Sequence, residues 1–202
     1  MRQAGHDVRA MLMDVSDSAS VLDAFIQLDT LELCADIVVN YAGVSGSAKW
    51  RDNDERQWMR LLQTNLLGVE RVSQAAARRL VAAKRGGSII NIASTLGITV
   101  QPGVSAYGAG KAAVMHLSKT MAMELWPRGI RVNCLAPGLF NTAFTKDFEH
   151  KHGKTYFDLS LTRRMGEPAE LDGALLFLAS DASAYVNGVV LPVDGGNHLR
   201  GL

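Results

Sequence analysis

Cysteine is scarce in this chain of 202 residues: Cys34 and Cys134 are the only two. Neither stands at a CxxC or metal-ligand spacing. That removes a disulfide framework and a structural metal from the reading, and it fits buried, reduced thiols in a cytoplasmic protein. An excess of charge is missing as well. The formal net charge of +1 gives no electrostatic reason to expect nucleic acid or an anionic membrane as partner. No apolar run reaches the ~18 residues of a membrane span, and the N-terminus lacks the apolar stretch of a secretory signal. There is no internal repeat and no low-complexity linker. What is present is a chain 48% apolar, the length of one domain over residues 1–202, able to bury roughly 70% of its unfolded surface.

Strand-like and helix-like stretches alternate along that length. Residues 8–15 (VRAMLMDV) read as a short strand. Ser16, Asp17 and Ser18 then offer helix-cap chemistry, and Val21, Phe25 and Leu28 give the following helix one apolar face. Residues 36–40 form a continuous apolar strand ending in Asn40-Tyr-Ala-Gly43. Lack of polar alternation predicts a parallel sheet covered on both faces. A long helix is expected over 54–83, stopped by Gly86-Gly87, then a strand over 88–92 with Ser94 at its end. The helix of 107–126 breaks at Pro127-Arg-Gly129. A strand over 130–135 leads to Ala136-Pro-Gly138, Pro168 opens another helix, and 188–193 is the last strand. The pattern predicts an α/β fold, a doubly wound, mostly parallel sheet flanked by helices. Residues 140–164 mix aromatic and basic side chains, and 139–165 reads either as a substrate lid or as a helical excursion with a solvated basic face.

Chemistry concentrates in Ser105-Ala-Tyr107-Gly-Ala-Gly-Lys111. On a helix, Tyr107 and Lys111 stand one turn apart on one face. A free phenol ionises near pH ~10, and a nearby ammonium favours the phenolate. The pair is therefore suited to pass a proton near neutral pH, as carbonyl reduction or alcohol oxidation requires. In doubly wound sheets ligands bind beyond the carboxyl ends of the strands, where Asn40 to Gly43, Ser94 and Pro137-Gly138 fall. Thr95, Leu96, Gln101 and Pro102 are expected to line a substrate pocket. No metal site is expected, and His116, His150, His152 and His198 have no spacing that lifts them above surface residues.

Together these residues resemble the short-chain dehydrogenase/reductase family. Asn40-Tyr-Ala-Gly43 is similar to its Asn-Asn-Ala-Gly motif, with Tyr41 in place of the second Asn. Asn65 in Gln-Thr-Asn-Leu-Leu-Gly, Ser94 in Asn-Ile-Ala-Ser, Tyr107 and Lys111 match its catalytic tetrad. Pro137-Gly138 with Thr142 resembles the segment that holds nicotinamide, and Val193-Asp-Gly-Gly196 its last strand end. The resemblance implies hydride transfer between NAD or NADP and a carbonyl or secondary alcohol. In it Tyr107 is the acid/base, Lys111 lowers its pKa and holds the nicotinamide ribose, Ser94 binds the substrate oxygen, and Asn65 holds a water. Asp14 and Val15 would border adenine, and Asn40, Ala42, Gly43, Pro137, Gly138 and Thr142 would line the nicotinamide end. A homodimer or homotetramer is implied too, with Ala75, Ala76, Val114 and Leu117 as spare apolar residues for the interface.

The family's opening Thr-Gly-x-x-x-Gly-x-Gly turn has no counterpart here. The chain starts at what would be the third strand, so the sheet is expected to lack about two strands and two helices. The residue that selects NAD or NADP is also absent, dinucleotide binding is expected to be weak, and 36–40 is expected to be an exposed edge. The alternative is an inactive fragment that binds no dinucleotide and serves as an assembly partner.

Overall fold

The structure is a computed structural model and describes residues 7–143, 145, 146, 157 and 160–200. Four parallel strands form one sheet in the order β1-β2-β3-β4: β1 Ile37–Asn40, β2 Gly87–Ile92, β3 Ile130–Pro137 and β4 Val190–Val193. Ile37 pairs with Ser88, Ile89 with Val132 and Leu135 with Leu191. Between strands run α1 Ser18–Thr30, ahead of β1, then α2 Glu55–Leu62, α3 Gly68–Ala82, α4 Ser105–Leu125 and α5 Asp172–Ala179.

Strand alternation sends neighbouring side chains into different layers. Ile89 and Val132 pack with Phe25 of α1, Leu80 of α3 and Ala122 of α4 on one face. Ile90 and Leu135 pack with Leu178 of α5 on the other. Helices therefore cover both faces of β2 and β3. β1 differs: Val38 and Asn40 are buried, while Ile37 is 51% and Val39 39% exposed. β1 is thus an outer strand with one open face.

Local chemistry explains the boundaries. Asp17 caps α1 by accepting from the Ala19 amide at 3.0 Å. The long helix of 54–83 is present but interrupted, α2 and α3 being joined by a π-helical turn at Gln63–Leu67. α3 ends because Lys84 adopts the left-handed conformation at φ 54° and the Arg85 amide donates back to Leu80 O at 2.9 Å. Gly86-Gly87, expected to stop this helix, serve instead for close approach. A Cβ on Gly87 would lie 2.7 Å from Asp36 O.

Two expectations are corrected. Residues 8–15 form no strand. A strand needs a ladder partner, and no ladder of the sheet includes this segment. Its end is tied to α3 instead, where Arg71 Nη1 donates to Val15 O at 3.2 Å. Ala76 and Val114 are not spare interface residues. They are 2% and 0% exposed and belong to the core, whereas Ala75 and Leu117 are half-buried.

A polar chain crosses the buried face of the sheet. Asn40 Nδ2 donates to Ser73 Oγ at 2.8 Å and to Asn91 Oδ1 at 2.7 Å. Asn91 Nδ2 donates to Ser118 Oγ at 2.7 Å, Ser118 donates to Val114 O, and the Cys134 thiol donates to Ser118 Oγ at 3.1 Å. Every link has a donor and an acceptor, so this buried polarity is satisfied. Asn91→Leu keeps the volume and removes the hub, leaving buried groups on Asn40 and Ser118 short of partners. Denaturant unfolding is expected to show a loss of about 2–4 kcal/mol. A loss below about 0.5 kcal/mol would mean the network contributes little.

Candidate active site

Ser94 follows β2, and its side chain accepts from the Leu96 amide at 3.2 Å, opening a short 3-10 turn at Thr95–Gly97. The same hydroxyl lies close enough to the Tyr107 phenol to favour its ionised form. Tyr107 stands in the first turn of α4, with Lys111 one turn on. Lys111 Nζ is buried, lies 5.7 Å from the centre of the Tyr107 ring, and donates to Ile92 O at 2.7 Å. A Cβ built on Gly43 would lie 3.3 Å from Asn65 Oδ1 and 4.0 Å from Lys111 Nζ. Gly43 thus places the end of β1, the π turn and α4 at one point. Asn65, Ser94, Tyr107 and Lys111 converge there from three different segments.

The electrostatics differ from the sequence expectation. Burial raises the Tyr107 pKa above its usual value, and the nearby Ser94 hydroxyl only partly offsets this. In this geometry the Lys111 ammonium donates to the Ile92 carbonyl. Burial brings Lys111 itself down to about 8, opposed weakly by Cys134. Lys111 is therefore still mostly charged at neutral pH. Cys134 is pushed up to about 11 by burial, so this thiol is inert at neutral pH. Cys34 is half-buried, and both cysteines are free.

Asn65 has both ends of its amide on one residue: Nδ2 donates to Val44 O and Oδ1 accepts from the Val44 amide, each at 2.8 Å. The side chain thereby locks the loop after β1. Asn40 is likewise turned inward to Ser73 and Asn91, which leaves its backbone as the part facing the cleft. Val15, Asn40 and Ala42 do come together, lining a small cleft of about 80 Å³ with Thr64 and Gly68. Asp14 is not among its lining residues. Its carboxylate accepts from the Ser16 amide and hydroxyl, a turn that precedes α1 and holds its pKa below the usual value. Pro137 ends β3 opposite Val193, and Gly138 packs on Asp194. Thr142 exchanges hydrogen bonds with Thr145.

Much of the expected lid, including Phe144, Phe148 and Tyr156, lies outside the described residues, as do His150 and His152. The base of the excursion is described: Phe140 bridges Gly166. His116 is exposed. His198 is not a free surface residue: its Nδ1 lies 2.9 Å from Asp194 Oδ2, and the Asp194 side chain is 3% exposed. The four-residue spacing to the Asp-Gly-Gly motif was the available signal. Among the described residues no cluster of His, Cys, Asp or Glu could hold a metal ion, and no helix is long and apolar enough to cross a membrane.

The family model described as enoyl-(acyl carrier protein) reductase matches residues 1–198. The chain belongs to the short-chain dehydrogenase/reductase family. It is 37% identical over 198 residues to a 3-oxoacyl-[acyl-carrier-protein] reductase of Chlamydia trachomatis, covering 96% of this chain and 78% of that protein. It is 37% identical over 187 residues to a gluconate 5-dehydrogenase of Gluconobacter oxydans, covering 92% and 73%. Among solved structures, the gluconate 5-dehydrogenase of Burkholderia cenocepacia, in complex with NADP and tartrate, superimposes with a TM-score of 0.92 at 36% identity, covering 96% of this chain and 77% of that one.

Proposed function

We propose that this protein transfers a hydride between NAD(H) or NADP(H) and a carbonyl or secondary alcohol, with Tyr107 as acid and base. The observation that carries the reading is the Ser94–Tyr107 hydroxyl pair beside a buried, still-charged Lys111. The residues at the nicotinamide end fit such a cofactor. Gly43 leaves a side-chain-free surface next to Asn65 and Lys111, and Ala42, Pro137 and Gly138 sit at strand ends. When bound, the reduced nicotinamide supplies the hydride to the carbonyl carbon.

In reduction, Ser94 donates a hydrogen bond to the carbonyl oxygen and holds it near the phenol. Tyr107 gives its proton to that oxygen as negative charge develops there, which makes the alcohol. Its raised pKa keeps the phenol protonated and suited to this direction. Lys111 faces the resulting phenolate with a positive charge and stabilises it. In oxidation the same groups act in reverse, and Tyr107 takes the alcohol proton.

Two substrate chemistries are suggested by the relatives, a 3-oxoacyl thioester and a keto-sugar acid. The test is the purified protein with NADH or NADPH and one example of each, followed by loss of reduced-nicotinamide absorbance. Turnover with either supports the reading. No turnover with both cofactors across a panel of ketones and thioesters, from a protein shown to be folded, overturns it.

A further inference from the structure

We propose that the Asp194–His198 pair is a positioning latch for the Pro137–Gly138 turn, holding it in the shape the nicotinamide end of a dinucleotide requires. The inference rests on the cofactor reading above and adds two residues to it. Asp194 follows β4 directly. Its Oδ1 accepts from the Gly196 amide at 2.9 Å, and its Oδ2 accepts from the His198 amide at 2.7 Å. His198 Nδ1 approaches both oxygens, at 3.0 and 2.9 Å. A carboxylate only accepts, so Nδ1 carries the hydrogen. The carboxylate is thus clamped from two amides and one ring, and it is almost fully buried.

That clamp bears directly on Gly138. A Cβ on Gly138 would lie 2.5 Å from Asp194 Cβ and 3.0 Å from Asp194 Cα. The Gly138 amide donates to Val193 O at 3.0 Å. Gly138 meets Asp194 Cβ and Cα with no side chain of its own between, so a shift of Asp194 is a shift of Gly138. Neighbouring contacts set the clamp further: Asn197 Nδ2 donates to Asp194 O at 2.8 Å, and Asn197 Oδ1 accepts from the Leu161 amide at 2.7 Å. His198 touches no proposed reacting atom. Its role is to fix Asp194, which fixes the turn.

Three proteins test this: the parent, His198→Ala, and His198→Asn, whose amide nitrogen can occupy the place of Nδ1. Amide hydrogen exchange is read on the ligand-free proteins. NADPH binding is read by fluorescence, and ADP-ribose, which lacks nicotinamide, by competition. His198→Ala is expected to speed exchange at Gly138 about tenfold, with Ile89 and Ile90 unchanged, and to weaken NADPH about tenfold while leaving ADP-ribose as in the parent. His198→Asn is expected to restore most of both. Unchanged Gly138 exchange in His198→Ala overturns the latch, whatever the cofactor does. Equal weakening of NADPH and ADP-ribose overturns it as well, because general loosening would do that. Faster Gly138 exchange with unchanged NADPH affinity overturns its bearing on nicotinamide. A parent that binds neither ligand overturns the cofactor reading itself, an outcome the exchange data separate from failure of the latch.

Discussion

Tyr107→Phe is expected to reduce turnover by a factor of about 10²–10⁴, the range for loss of a positioned proton donor. Phenylalanine keeps the ring that Lys111 approaches to 5.7 Å and deletes only the oxygen near Ser94. The substrate affinity is expected to change far less than the rate, since the lost interaction matters most as charge develops on the carbonyl oxygen. The stability cost is small. With the phenol removed, Ser94 still accepts from the Leu96 amide. Steady-state kinetics beside a thermal melt separates the two effects. Turnover within about fivefold of the parent, with the fold intact, would remove Tyr107 from the mechanism and move the proton to another group.

Legibility in the sequence followed the range of each interaction. Tyr107 and Lys111 share a helical turn, so their pairing was readable from spacing alone, and strand ends marked by Asn40, Ser94 and Gly138 were readable from topology. Residues 8–15 were misread because apolar pattern cannot say whether a partner strand stands alongside. The inward turn of Asn40 was hidden for a similar reason: its partners, Ser73 and Asn91, are 33 and 51 residues away. The orientation of Lys111 was the hardest feature to read. Sequence gives the charge and its place on the helix, but the rotamer that sends Nζ to Ile92 O depends on where β2 ends. Burial, which now sets both the Tyr107 and Lys111 pKa values, is likewise a property of the assembled layers. His198 was dismissed as a surface residue although Asp194, four residues before it, lay within a motif already singled out.

Lys111→Met is expected to make the protein more stable near neutral pH and close to inactive. Lys111 is 5% exposed, and its folded pKa is brought from 10.5 to about 8, chiefly by desolvation. A buried ammonium with a depressed pKa weakens the fold. Below about pH 8 it is protonated in both folded and unfolded chains, and the cost of burying the charge is carried in full. Between about 8 and 10.5 the unfolded chain binds the extra proton, so stability rises with pH across that window and the cost is relieved above it. Methionine has a similar length and no charge to desolvate. Against that gain, the Ile92 carbonyl loses its donor, worth about 1 kcal/mol. The net expectation is a gain of about 1–2 kcal/mol near pH 7 that shrinks as pH approaches about 10. Activity moves the other way, because the phenolate formed on Tyr107 loses the cation that faces it, and a fall of at least about 10²-fold in turnover is expected. Denaturant unfolding at about pH 7 and about pH 9.5 checks the first half, and kinetics the second. A variant less stable than the parent at neutral pH would show that the hydrogen bond to Ile92 outweighs the desolvation of Lys111, and a difference that does not vary with pH would show that the folded pKa of Lys111 is not depressed. A variant that is both more stable and inactive identifies Lys111 as a charge the fold carries for the sake of the reaction.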